Sequence, residues 1–337
     1  MKKIICFTMI FALSMPAAFA FGSKDKGSRN KVTIYTSMYQ EVIDAVQIQL
    51  RNDFPRYHIE FVYGGSGRLE HRVATEKAAG RLGCDILMTA EPSYSLELKK
   101  AGLLHPYLSK EAFNLAFEYD PEGYWYPVRI LNMVLAYNPE KNQKNTVPNS
   151  FYDFAHDTKV RGALSMRNPN ISGTTMAALT ALRDKYGYEY FDALARQNVK
   201  IEYGSAGAIE KLQSGEYKVA MILEESILQS RQNGSNLEVI YPTDGTVMIP
   251  STIMIVNQRW SANRNVNIAE QITDWFLSER GQNAIVAGWM HSVRTDFPKI
   301  PYDSIPTSTI RGNNIPVNWE YDPGQREQML NRLEERK

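Results

Sequence analysis

Polar residues gather where strand-like runs give way to helical ones, and several could hold a charged solute. Ser37 follows the run VTIYT (residues 32–36), while Ser66 and Gly67 follow HIEFVY (residues 58–63). Asn168, Asn170, Ser172, Gly173, Thr174 and Thr175 follow GALSM (residues 162–166), and Ser205 and Gly207 follow KIEY (residues 200–203). The first turn of a helix leaves backbone N–H groups unpaired and carries partial positive charge, which suits a carboxylate or phosphate. The same hydroxyls and amides also cap helices with no ligand present, so one such site decides nothing. Repetition at four strand-to-helix turns describes an anion-binding surface. Glu224 and Glu225 directly follow VAMIL (residues 219–223). They either accept hydrogen bonds from sugar hydroxyls or an ammonium group, or simply answer the helix dipole. Arg129, in YPVRI, reads either as a counter-charge to an anion or as half of a structural ion pair. Tyr39, Tyr126 and Tyr203 could wall a pocket, but with 19 tyrosines in the chain most must only pack.

Enzyme signatures do not emerge. GGSGR (residues 64–68) has Arg68 where a nucleophile elbow needs glycine, and it lacks the GK[ST] of a phosphate-binding loop. The five histidines, His58, His71, His105, His156 and His291, are scattered and form no HExxH pair. Cys84 lies inside the strand-like run CDILMTA (residues 84–90) and reads as a small buried apolar residue. The residues therefore point to binding rather than turnover, with no cofactor and no metal.

Those residues must be positioned by alternating elements. Strands at 32–36, 58–63 and 84–90 are separated by helical periods at about 42–50 and 69–79, a spacing that predicts βαβ units and a parallel sheet. A second set repeats it, with strands at 162–166, 200–203, 219–223 and 237–241 and helices at 174–185 and 206–214. Two long β-type stretches, 124–137 and 246–257, are placed to cross between the two units. Two α/β lobes joined by two crossovers enclose a cleft, and the strand ends of both face it.

Met1-Lys2-Lys3, an apolar stretch to Pro16 and the sequence Ala18-Phe19-Ala20 read as a signal peptide cleaved after Ala20, followed by a polar leader at 21–30. The apolar stretch is shorter than the roughly 20 residues of a spanning helix, and no cysteine follows it to carry lipid. Cleavage removes Lys2 and Lys3, leaving 36 basic against 37 acidic residues and no footprint for nucleic acid. It also removes Cys6, so Cys84 is the sole remaining thiol and no internal disulfide forms. About 317 residues remain, enough for two domains. The expected division is residues 31–128 with 251–337 in one lobe and 129–250 in the other.

Several stretches together resemble the extracellular solute-binding proteins of ABC importers, in the group that contains the ferric-iron-binding proteins. They are VTIYTSMYQEVIDA, YGGSGRLEHR, DILMTAEPS, YNPE, MRNPNISGTT, SAGAIEKLQSGEYKVAMI, VIYPTDGTVMIPSTIMIV, LSERGQ and SVRTDF. The resemblance implies an α/β fold of type II periplasmic binding protein kind, two doubly wound sheets joined by two hinge strands. It implies a monomer in the periplasm that closes on a solute and is read by a membrane permease. Through the same stretches Met38 and Glu91 join the candidate ligand-binding residues. Ferric members carry adjacent tyrosines after the strand that VAMIL matches; this chain has Glu224-Glu225, and its first loop has Ser37-Met38-Tyr39. The departure points to relatives that bind phosphorylated hexoses, with glucose 6-phosphate the leading expectation. Ferric iron or another metal, a phosphonate or a polyamine are the alternatives, and a secreted enzyme acting on phosphosugars the remotest.

Overall fold

The computed structural model describes residues 30–320 and 322–334, so the expected signal peptide and all of the leader but Asn30 lie outside the described residues. The first half runs β1 (Lys31–Thr36), α1 (Gln40–Asp53), β2 (His58–Tyr63), α2 (Ser66–Ala78), β3 (Ile86–Thr89), α3 (Pro92–Lys100) and β4 (Tyr126–Tyr137). The second unit is α4 (Phe151–His156), β5 (Leu164–Arg167), α5 (Gly173–Tyr186), α6 (Glu189–Arg196), β6 (Lys200–Glu202), α7 (Ser205–Ser214), β7 (Val219–Leu223), α8 (Glu224–Gln232) and β8 (Glu238–Ile240). The chain returns through β9 (Thr246–Ile255), α9 (Val266–Leu277), α10 (Glu279–Ala287), α11 (Thr307–Gly312), β10 (Asn314–Ile315) and α12 (Pro323–Glu334).

The β-branched and aromatic runs form strands where sequence placed them, because their side chains pack best on a pleated, buried surface. In each half three strands are parallel, β2-β1-β3 and β7-β5-β6, as short βαβ crossovers require. β4 and β9 are buried along their whole length; β9 runs antiparallel to the first set and β4 to the second. They also pair with each other, from Tyr126 opposite Ile253 to Met133 opposite Val247. The two expected sheets are thus halves of one ten-stranded ladder in the order β2-β1-β3-β9-β4-β7-β5-β6, with β8 and β10 attached to β4 and β9. The ladder shifts register between Pro127 and Arg129.

Sequence reading missed α3, α4, α6 and α11. Pro92 opens α3 at its first position, where a proline sacrifices no internal hydrogen bond. The C-terminal segment touches both halves. Trp319 stacks on Trp125, with ring centroids 4.5 Å apart, and Arg326 pairs with Glu91. Arg332 of α12 reaches Asp192 of α6 at 2.9 Å.

Candidate functional site

Four helix starts converge between the lobes. The loop leading into α1 contributes Ser37 and Tyr39, α2 contributes Ser66 with the preceding Gly65, α5 contributes Thr174 beside Ser172 and Gly173, and α8 contributes Glu225. Each follows a strand, so the C-terminal strand ends aim their helix N-termini at one cavity. β4 passes behind it and delivers Arg129, while β5 ends on Arg167. The cavity encloses only about 30 Å³, room for about one water.

The charges in this cavity are unusual. Arg129 is 2% exposed. One guanidinium nitrogen donates to Ser37 Oγ at 3.0 Å and another lies 3.0 Å from Met290 Sδ, while Nε is buried with no hydrogen-bond partner among the described residues. Arg167 Nε is likewise buried without a partner. Burial pulls the Arg129 guanidinium down to about 10 against the opposing pull of Glu225. Burial pushes the Glu225 carboxyl up to about 7, although Arg129 and Arg167 favour its charged form. Tyr39 is raised by burial and by Glu225, and its hydroxyl meets Ser226 Oγ at 3.0 Å across the cleft. One buried guanidinium and one half-buried one thus face one reluctant carboxylate. The balance is positive.

Of the residues singled out from sequence, Ser37, Ser66, Arg129, Ser172, Gly173, Thr174 and Glu225 are brought together at the cavity. Two of its hydroxyls already have work. Ser172 caps α5 by accepting from Thr175 N–H at 3.3 Å, and Ser66 Oγ accepts from Ala90 N–H at 2.9 Å. The structure places Met38, Gly67, Glu91, Asn168, Ser205 and Glu224 elsewhere, and Asn170, Thr175 and Gly207 do not line the cavity either. Met38 is fully buried in the core. Gly67 lies on the far side of the loop contact, where an added Cβ would stand 2.9 Å from the Asn170 carbonyl oxygen. Glu91 accepts from Ser93 Oγ and Arg326. Asn168 shapes a turn, its Oδ1 accepting from Asn170 N–H at 2.9 Å. Ser205 Oγ meets Ser226 Oγ at 3.2 Å. Glu224 turns away from the cavity altogether, toward Asn132, His291, Tyr241 and Ser304.

Arg167 and Tyr63 line the cavity and were missed. Both end strands, at the position the strand-end rule favours, so that rule contained the signal. Of the tyrosines considered as pocket walls, only Tyr39 lines the cavity; Tyr203 is 73% exposed, and Tyr126 OH donates to Tyr107 C=O at 2.6 Å. Two larger cavities, of about 750 and 970 Å³, lie outside this contact and are bordered by α12. The arginines whose Nε atoms lack partners belong to the small one.

Residues 84–304, more than half of the chain, match the family described as bacterial extracellular solute-binding protein. This chain belongs to that family. No curated protein matches the chain. Among solved structures, the substrate binding protein of an ABC transporter from Agrobacterium tumefaciens is similar at TM-score 0.79, with 15% identity over 93% of this chain and 95% of that one. AfuA from Actinobacillus pleuropneumoniae, solved with exogenous fructose-6-phosphate bound, gives 0.75, with 18% identity over 92% and 99%. Iron-bound HitA from Pseudomonas aeruginosa gives 0.74, with 20% identity over 90% and 98%. At these identities the likeness shows the two-lobed fold of periplasmic binding proteins. As a member of an extracellular family, this solute-binding protein works outside the cytoplasm. No helix among the described residues is long and apolar enough to cross a membrane.

Proposed function

We propose that this solute-binding protein captures a phosphorylated small solute for an ABC importer, a hexose phosphate such as glucose 6-phosphate. The observation that carries the reading is the pair of arginines at one small cavity, each with a buried Nε that lacks a partner among the described residues. A buried donor without an acceptor costs about 1–3 kcal/mol, and a phosphate supplies acceptors in the geometry a guanidinium prefers. The convergent helix starts favour the same negative charge. Glu225, the carboxylate of the cavity, takes the hydroxyls of the sugar. AfuA, with its bound fructose-6-phosphate, shares the fold and supports the same class of ligand.

Ferric iron fits less well, although HitA carries it on the same fold. Two guanidinium groups repel a trivalent cation, and Glu224-Glu225 stand where ferric members are expected to carry adjacent tyrosines. In the proposed cycle the lobes of residues 31–128 with 251–337 and of 129–250 close about β4 and β9, and a permease reads the closed monomer. Calorimetric titration with glucose 6-phosphate, glucose and inorganic phosphate tests the ligand. Heat with the phosphate ester and none with glucose is expected. Silence toward every phosphorylated compound would overturn the reading.

A further inference from the structure

Glu224 and Glu225 are consecutive residues of the first turn of α8 and point in different directions, as the 100° step of a helix requires. Glu225 faces the cavity. Glu224, 1% exposed, enters a polar pocket where four donors reach it: Asn132 Nδ2 at 2.6 Å, His291 Nε2 at 3.0 Å, the Tyr241 hydroxyl and Ser304 Oγ. A carboxylate offers about four lone-pair sites, so Glu224 has none left for a solute.

The donors come from separate parts of the chain. Asn132 belongs to β4, three residues after Arg129; Tyr241 follows β8; His291 follows α10; and Ser304 precedes α11. His291 also pairs with Ile130 through both backbone groups, at 3.0 and 3.2 Å, and its Nδ1 lies 2.8 Å from Thr307 Oγ. The network therefore grips α8 one residue from Glu225 and grips β4 beside Arg129. Burial opposes ionisation of Glu224, but the contacts with His291, Asn132 and Ser304 outweigh it and hold the carboxyl below its ordinary range. Apolar residues of similar volume often replace a buried ion pair at little cost or with gain, so stability alone does not account for this hub.

We propose that Glu224 is a positioning residue of the binding site: it fixes the distance and angle between Glu225, which takes sugar hydroxyls, and Arg129, which takes the phosphate, without touching the solute. The inference rests on the sugar-phosphate reading above. Its effect falls on a ligand that spans both groups and spares one that meets the arginine end alone.

Titration of the mature protein, its E224Q, E225Q and Y241F variants with glucose 6-phosphate and with inorganic phosphate tests this, each variant also being melted thermally. E224Q is expected to lose at least tenfold in affinity for glucose 6-phosphate while inorganic phosphate stays within about twofold of wild type. E225Q should show the same selective loss. Should E224Q fail to fold, Y241F and Ser304→Ala, which each remove one donor, carry the same criterion with a smaller loss. Equal weakening of both ligands, or a lowered melting temperature with unchanged affinities, assigns Glu224 to the fold and overturns the proposal. If wild type binds no glucose 6-phosphate, the ligand reading falls and takes this inference with it. If wild type binds and E224Q binds equally well, the positioning role falls alone.

Discussion

Arg129 and Glu225 set stability against function at the level of single side chains. Arg129 is a buried guanidinium with a partnerless Nε, so Arg129→Met should abolish binding of phosphorylated solutes and raise the stability of the free protein by about 1 kcal/mol or more. A denaturant melt without solute checks the second half, and a destabilised variant would contradict it. Glu225 gives a pH signature. Its carboxyl is raised in the folded state to about 7, so folding favours the protonated form. That contribution is complete below the unfolded value near 4.5 and is lost as pH rises through about 7. Glu225→Gln escapes the loss, so its stability relative to wild type should climb by about 3 kcal/mol between pH 4.5 and pH 8. A difference independent of pH would refute the assignment. Sequence identified Arg129 and the acidic pair but could not divide labour within the pair. Which of two neighbours faces the cavity depends on donors 92, 67 and 80 positions away in the chain, at Asn132, His291 and Ser304. No local pattern encodes that.

The strand-to-helix turns meet across the cleft as backbone on backbone. Gly65 lies against the carbonyl oxygen of Ile171 and Gly67 against that of Asn170, and a Cβ on Gly173 would stand 2.6 Å from Ser66 Cβ. At Gly67 the obstacle is main chain, which cannot rotate aside. Gly67→Ala should therefore hold the lobes apart, weakening solute binding at least tenfold and enlarging the radius of gyration in solution scattering with saturating ligand. A variant that closes to the wild-type radius would show that the loop gives way. At this scale sequence was most informative, because β-branched runs and proline or glycine stops are local signals. Strand β7 was bounded to the residue, and β2 likewise. α6 was missed, although Tyr190, Phe191, Ala193 and Leu194 all enter the core. The pairing of β4 with β9 was also out of reach, since it joins segments more than 110 residues apart that are buried along their whole length, so neither shows an alternation that would mark its partner.

Across the whole molecule, the ten-stranded ladder makes the two lobes one hydrogen-bonded body. Cys84 reports on that body. It is buried, and its thiol is pushed well above the ordinary range, first by burial and then by Glu76 and Asp85. A disulfide reagent should leave the folded protein untouched with or without solute, and react at once in denaturant. Rapid labelling under native conditions would mean that the first lobe opens on its own. The C-terminal segment bridges Trp125 and Glu91 on one side and Asp192 on the other. Arg326→Ala, which releases the contact with Glu91, should quicken solute release measured by stopped flow while altering the capture rate little.

The register of β4 against β9 slips between Pro127 and Arg129, immediately beside the buried cation. Such an irregularity bends its strand and increases the local twist. If the lobes close about β4 and β9 as proposed, a bend there would turn Arg129 with them, and gripping an anion and closing the cleft would become one motion. The protein wears its charge on the axle rather than on a jaw; on the proposed reading, a captured phosphate would act as the pin that stops the axle turning back.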